Sequence, residues 1–444
     1  MVLIYTPRIT ARIQYAAGLL LGIIPGLEWR LVDDLDACRK HQGPKIFYGK
    51  PPADQDGLVL PSHGFLLERG VHYFLPQLKE QDGLPLLFPA EGKGYDLPFD
   101  PFAAAFYLVS RYEEYLPHNK DAHGRFEATE SFAYKHHFLH RPVVNHYALL
   151  LKKRIGEKYP GYAMAAGRFT FLPTYDIDIA FAYRARTLFR SFFGMLRSVA
   201  QLEFGKLWQR LKVLTAMEDD PYDTYSFQLD LHKESGIRAH YFFLCGDYGP
   251  YDKNVAFYSR PFNQLVKMLG DYAHIGIHPS YASSQEEGLL KKELPRLESI
   301  VNREIPYSRQ HYLKLDMPAT YQRLLKHNIG FDFTMGYASQ AGFRASICTP
   351  YPFYDLELEK ESPLTIVPFA VMDGTLRDYL RLKPDAALDL AMRLMEEVHE
   401  AGGTFSTLWH NDSLCECNGW EGWKDVYARL YRAAADKHAA ARRE

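Results

Sequence analysis

The sequence predicts an α/β protein in two parts, an N-terminal α/β domain over residues 1–165 and a run of seven βα units over 166–444. Three observations predict this. The first is periodicity. After residue 168, apolar, β-branched or aromatic runs of strand length recur at 168–175, 240–244, 274–278, 307–313, 329–333, 364–369 and 404–409. The second is what separates them. Helical stretches fall at 221–233, 262–269, 285–301, 318–327 and 386–400, and the first runs from Asp219-Asp220-Pro221 to a stop at Gly236. Strands alternating with helices make a parallel sheet with helical crossovers, either an open doubly wound sheet or a closed barrel. The third is a break in composition near 155–168, in a chain whose 444 residues suggest more than one ordinary domain.

The N-terminal part reads as strand Val2–Tyr5, helix Ala11–Leu21 and strands Glu28–Val32 and Lys45–Tyr48. Residues Pro98–Tyr115 read as a loop entering a helix with Phe102, Phe106, Leu108 and Val109 on it. That helix ends in Ser110-Arg111-Tyr112-Glu113-Glu114-Tyr115. The apolar run at 15–25 follows Arg8 and Arg12 as a signal peptide would. It lacks a small-x-small cleavage site and is too short to span a bilayer, so a buried strand and helix are expected instead.

Composition excludes several classes. With 47% hydrophobic and 24% charged residues the chain can build a normal core. Its net charge of -2 gives no basic field for nucleic acid. Of the five cysteines, Cys38, Cys245 and Cys348 are scattered, and Cys415 and Cys417 lie two apart, an awkward spacing for a disulfide. All five are expected as reduced thiols in a reducing compartment, and with no export signal read, a cytoplasmic location is expected. One segment interrupts the βα rhythm. Residues 184–214 carry Arg184, Arg186, Arg190, Arg197, Lys206, Arg210 and Lys212 together with Phe189, Phe192, Phe193, Leu196, Phe204 and Trp208. A helical insertion packed over the barrel mouth is expected, with peripheral membrane contact as the alternative.

In parallel βα architectures, loops after the strands' C-terminal ends carry the active site. Six of the seven strands deliver polar groups there: Asp176 and Asp178 after the first, His278 ending the third, Arg309 and His311 on the fourth, Asp332 ending the fifth, Asp373 after the sixth, and His410 and Asn411 after the seventh. Carboxylates and imidazoles converging on one rim suit a divalent metal with oxygen and nitrogen ligands, and leave an acid and a base to spare. With two carboxylates at this strand end, Asp176 and Asp178, one can hold a metal while the other holds a proton. Arg309 is expected to pair with a carboxylate. Each of these residues also has an ordinary structural use: Asp-x-Asp caps turns, and a lone strand-end histidine is commonly structural.

These motifs, in this order over about residues 168–415, resemble the polysaccharide deacetylases, carbohydrate esterase family four, with the NodB-homology barrel of seven βα units. Thr174-Tyr175-Asp176-Ile177-Asp178 resembles the family's Thr-Phe-Asp-Asp. His278-Pro279-Ser280-Tyr281-Ala282 resembles His-Ser/Thr-x-x-His, and Arg309-Gln310-His311-Tyr312 its arginine motif. Asp332-Phe333-Thr334 near Gly342-Phe343-Arg344, and Leu408-Trp409-His410-Asn411, resemble the last two. The whole chain also resembles a bacterial subgroup with an added N-terminal domain bearing an element like 110–115.

The resemblance implies a closed (β/α)7 barrel and metal-dependent removal of an N-acetyl group from an amino sugar in a glycan. It implies a divalent metal, zinc first, that polarises the amide carbonyl and activates water. Asp178 and His278 would hold it, with His311 substituting for the family histidine whose position is Ala282; His274 is a second substitute. Asp176, kept ionised by Arg309, would be the base and His410 the acid. Tyr312, Asp332 and Asp373 are expected to bind substrate. The departure at Ala282 supports a competing reading, a non-catalytic barrel that binds a glycan or a protein. Asp176-Ile177-Asp178 also resembles the Asp-x-Asp of metal-dependent glycosyltransferases, a second competitor, and paired carboxylates admit a glycosidase as a third.

Overall fold

The computed structural model describes residues 1–50, 56–185, 201–202 and 204–443. The N-terminal part holds a parallel four-stranded sheet in the order β2-β1-β3-β4, from β1 (Val2–Tyr5), β2 (Trp29–Val32), β3 (Lys45–Tyr48) and β4 (Leu58–Leu60), and an antiparallel hairpin of β5 (Leu78–Gln81) and β6 (Leu84–Leu87). The apolar run expected to be a buried helix forms Ala11–Gly22. Thr10 starts it by accepting a hydrogen bond from the Ile13 amide, 3.1 Å away, which satisfies one of the free first-turn donors. Its apolar face packs on a second helix, Pro101–Val109, whose nine residues are all buried.

The larger sheet has nine strands in the order β12-β13-β11-β10-β9-β8-β7-β15-β14. They are β7 (Thr170–Ile177), β8 (His240–Leu244), β9 (His274–His278), β10 (Tyr307–Ser308), β11 (Phe331–Asp332), β12 (Tyr351–Asp355), β13 (Lys360–Ile366), β14 (Val371–Met372) and β15 (Thr404–His410). All pair in parallel except β12 with β13. The outcome corrects the expected closed seven-stranded barrel: the ladder is open, with β14 and β12 at its ends.

The reason lies in the stretch expected as one strand at 364–369. It divides between two partners. Val367 N–H bonds to Asp332 O and Phe369 N–H to Met335 O, while Ala370 N–H turns to Ser406 O across the sheet. The chain therefore passes from β13 to the end strand β14 without a continuous run of paired strands. β12 was not expected from the sequence, because Pro352 inside Tyr351–Asp355 demotes that run as a strand; as an edge strand it tolerates the proline.

One apolar core runs through both parts of the chain, including Val2, Ile13 and Phe106 together with Phe405 and Trp409. Polar ties cross the same boundary. Arg12 pairs with Glu359, and Tyr15 Oη donates to Pro352 O at 2.7 Å. The thiol expectation is corrected at one pair: Cys415 and Cys417 form a disulfide, while Cys38, Cys245 and Cys348 are free and buried. A left-handed turn at Glu416 sets the two Cα atoms 5.3 Å apart, inside the ordinary disulfide range. Among the described residues no helix is long and apolar enough to cross a membrane.

Much of the expected insertion at 184–214, residues 186–200 and 203, lies outside the described residues; the described remainder holds a helix over Phe204–Leu214.

Candidate metal centre

The C-terminal ends of β7, β9 and β15 and the turn after β10 bring Asp176, Asp178, His278, Arg309, His311 and His410 onto one cavity of about 270 Å³, except that Arg309 lies beneath its floor. The parallel register places Asp176 beside His410 and, through Ile277, Ser308 beside β9, so the strand ends are level.

Asp178 Oδ1 lies 3.1 Å from His278 Nε2, and its Oδ2 lies 3.3 Å from His311 Nε2. Candidate ligand atoms of these three residues all fall within 4.8 Å of one another. Bonds of about 2.0–2.2 Å to a tetrahedral ion would separate ligand atoms by roughly 3.3–3.6 Å, so small movements suffice to seat one. The far nitrogens fix the tautomers. His278 Nδ1 lies 2.6 Å from Arg309 O, and His311 Nδ1 lies 2.8 Å from Asp252 Oδ1. A carbonyl or an ionised carboxylate can only accept, so both Nδ1 atoms carry hydrogen and both Nε2 atoms face Asp178. His278 Nε2 is the polar neighbour of Asp178 Oδ1, and His311 Nε2 that of Oδ2. Burial pushes the Asp178 carboxyl up, but the charges and hydrogen bonds of His311 and His278 hold it well below the usual carboxylate range. Burial would lower the His311 imidazole, but Asp178 and Asp252 outweigh it and raise His311 to about 9.

Asp176 occupies the next position. Arg309 Nη1 donates to its Oδ1 at 2.8 Å, while Nη2 donates to Thr174 Oγ1 and Nε to Phe333 O. The guanidinium, fully buried, rests 4.6 Å over Phe242. Across the cavity, His410 Nδ1 lies 2.8 Å from Asp373 Oδ1, leaving Nε2 toward Asp178, 3.9 Å away. Burial would lower the His410 imidazole, but Asp373 beside it, with Asp178 and Asp176 adding, holds it well above its ordinary value.

Three expectations change. Asp332 does not line the cavity: its oxygens accept from Ser308 Oγ and from the Thr334 amide and hydroxyl, and it has no exposed surface, so it braces two strands rather than binding substrate. Asp373 is equally buried, its oxygens taken by the His410 ring, the His410 amide and the Gly374 amide; it orients His410. His274 sits at the opposite end of β9 and stacks on His240, 4.6 Å away, so it cannot replace the family histidine. Tyr312 does line the cavity, on a left-handed turn with Leu313.

Two residues were missed. Asp252 follows β8, the one strand of the seven to which no polar group had been assigned, and the strand-end rule applied there would have found it. Arg125 comes from the N-terminal part. Its Nη1 donates to Tyr312 O at 2.8 Å, Nη2 to Tyr379 Oη at 3.1 Å and Nε to Asp121 at 2.6 Å, and it lines the cavity. No spacing signal marks it, since it acts across a distance of nearly two hundred residues.

A model described as a family of unknown function (DUF7033) matches residues 2–160. No curated protein matches the chain. Solved structures similar to it include one assigned as a polysaccharide deacetylase from Mycobacterium smegmatis, at 11% identity and a TM-score of 0.40, covering 61% of this chain and 85% of that one. A family 4 carbohydrate esterase from Streptomyces lividans matches at 13% identity and a TM-score of 0.30, covering 62% and 90%. A pseudoenzyme of that esterase family from Bacillus anthracis matches at 13% identity and a TM-score of 0.28, covering 61% and 63%. Likeness this distant assigns no activity, and the chain's chemistry has to be argued from its own residues.

Proposed function

We propose that the protein is a metal-dependent hydrolase that removes an N-acetyl group from an amino sugar or glycan. The observation that carries this is the pair of imidazoles whose Nδ1 atoms are tied back to Arg309 O and Asp252 while both Nε2 atoms face Asp178. Structural histidines have no need for that arrangement; metal ligands do. The ordered motif resemblance supplies the reaction class.

Asp178, His278 and His311 would hold a divalent ion, zinc being the first choice for two imidazoles and a carboxylate. When bound, that ion supplies Lewis-acid polarisation of the amide carbonyl and lowers the pKa of water. Asp176, held in place by Arg309 Nη1 at 2.8 Å, takes the proton from the attacking water as the water oxygen bonds to the acetyl carbon. His410 Nε2, protonated because Asp373 backs it, gives its proton to the leaving nitrogen as the carbon–nitrogen bond breaks. The products are acetate and the free amine. Tyr251, Tyr312 and Tyr379 line the cavity as faces for a sugar ring. His311 Nε2, 3.3 Å from Asp178 Oδ2, supports a third ligand in place of the histidine missing at Ala282.

The test has two readouts. The purified protein, loaded with zinc, should bind one ion per chain and release acetate from N-acetylated chito-oligosaccharides without cutting the chain. Asp178→Asn should abolish both, while His410→Asn should keep the ion and lower kcat by about 10²–10⁴-fold. A protein that binds no divalent ion overturns the reading.

A further inference from the structure

The seam between the two parts of the chain does not close beside the metal cluster. Three cavities follow one another along it. The first is the cavity of about 270 Å³ that holds Asp178, His278 and His311. A second, of about 240 Å³, abuts it, since Arg125, Leu313, Ala338 and Tyr379 line both. A third, of about 270 Å³, shares Gln340 with the second and is otherwise lined by Tyr134, His137, Leu139 and His140. Each falls short of the roughly 300 Å³ at which ordinary small-molecule sites begin. In series they make a track.

Specific contacts hold the track in shape. Phe343 N–H donates to Leu139 O at 2.8 Å and draws the segment carrying Gln340 against the N-terminal part. Gly342 permits that approach: its φ is +124°, and a Cβ there would lie 2.5 Å from Leu139 O. At the other end, Arg125 Nη2 donates to Tyr379 Oη at 3.1 Å and sets the ridge between the first two cavities.

The lining suits a neutral polyol. Both arginines of the second cavity are already paired, Arg125 with Asp121 and Arg344 with Glu114, so neither is free for an anion. The half-buried side chains of Ser339 and Gln340 make no hydrogen bond among the described residues, and both line this cavity. Tyr379 on the ridge is 44% exposed and Tyr134 in the third cavity 38%. Ring faces stack on sugars, while hydroxyl and amide groups bond their hydroxyls. A peptide fits less well, because no residue lining the second or third cavity lies in a sheet strand that could pair with it.

We infer that the track binds a linear glycan, ring after ring, from the sugar at the metal cluster across residues 126–140 of the N-terminal part. The inference rests on the reaction proposed above for the sugar that is deacetylated, and it selects a glycan chain over a free amino sugar. Calorimetric titration would use the full chain carrying His410→Asn, which slows any turnover, with N-acetylglucosamine and its chito-dimer and chito-trimer as probes. Affinity should rise at least about tenfold from monomer to trimer. On that background Gln340→Ala should lower trimer affinity at least about threefold, and Ser339→Trp, which fills the second cavity, should bring it within about threefold of the monomer's. Monomer affinity, zinc stoichiometry and the melting temperature should stay at their parent values in Gln340→Ala. Failure of the trimer to bind, equal affinity for monomer and trimer, or a trimer preference untouched by Gln340→Ala overturns the inference. A trimer preference that Gln340→Ala weakens, in a chain that binds no zinc, overturns the reaction and leaves the track standing.

Discussion

Two clusters of buried charge lie within the same fold, and they are completed differently. The first joins the two parts of the chain. Arg344 grips Glu114 with two bonds, Nε to Oε1 at 2.9 Å and Nη2 to Oε2 at 2.6 Å, and Arg111 reaches the same carboxylate at 2.7 Å. Arg111 also donates to Tyr337 Oη and to Arg344 O, and Glu113 Oε2 accepts from the Phe132 amide. Arg111 Nη2 also lies 2.8 Å from Glu113 Oε1, so every cation there has its carboxylate. The second is the rim cluster, where three imidazole Nε2 atoms face Asp178 beside a cavity. The lesson is that buried charge by itself does not mark a site; a set of acids and imidazoles that converges on open space does.

The sharpest way to break the comparison is to damage the closed cluster and ask whether the open one notices. Arg344→Met removes both bonds to Glu114 and leaves that carboxylate with Arg111 alone. The expected loss is about 3–5 kcal/mol of unfolding free energy, the usual cost of stripping one partner from a buried pair. Denaturant titration would measure it, and zinc stoichiometry of the folded variant should stay at the parent value. A change in metal affinity comparable to the stability loss would show the two clusters to be one coupled network.

Acid separates them more gently. Burial pushes Glu114 up, but Arg344 and Arg111 overcome it and hold its pKa at about 2, against an ordinary 4.5. A carboxylate depressed in the folded state stabilises fully above its unfolded pKa and loses that contribution as pH falls through the folded one. Stability should therefore decline between about pH 4.5 and pH 2, by on the order of 3 kcal/mol from this group alone, with Glu113, raised by burial, offsetting part of it. Urea midpoints across that window measure the slope, and Glu114→Gln should flatten it.

Much of this was legible in the sequence. The strands at 240–244 and 274–278 are visible as apolar runs because a parallel sheet buries both faces, and the strand-end rule put Asp176, Asp178, His278, Arg309, His311 and His410 on one rim. What was not legible is whatever depends on a partner far away in the chain. The stretch at 364–369 reads as one strand, and only the competing acceptors Met335 O and Ser406 O divide it. Asp332 and Asp373 have the residue type and position of substrate ligands, yet neighbouring donors consume every oxygen. Composition cannot say which carboxylates are already satisfied. Arg111 and Glu114 were visible as a motif, but their partner Arg344 lies 230 residues away from Glu114.

The smallest predicted effect tests whether His311 is held for a metal. Asp252 Oδ1 accepts from His311 Nδ1 at 2.8 Å and from the Tyr281 amide at 2.8 Å, so one oxygen fixes both the imidazole and the turn carrying Tyr281. Asp252→Asn preserves shape but replaces a charged acceptor with a neutral amide, which makes the imidazole a poorer donor of electrons and frees its orientation. Zinc affinity by competition with a chelator should fall roughly 10–100-fold, as for other outer partners of ligating histidines. The melting temperature without metal should barely move, because the cluster contributes binding rather than cohesion. If affinity holds while stability falls, Asp252 belongs with Arg344 among the residues that close the fold, and His311 is structural.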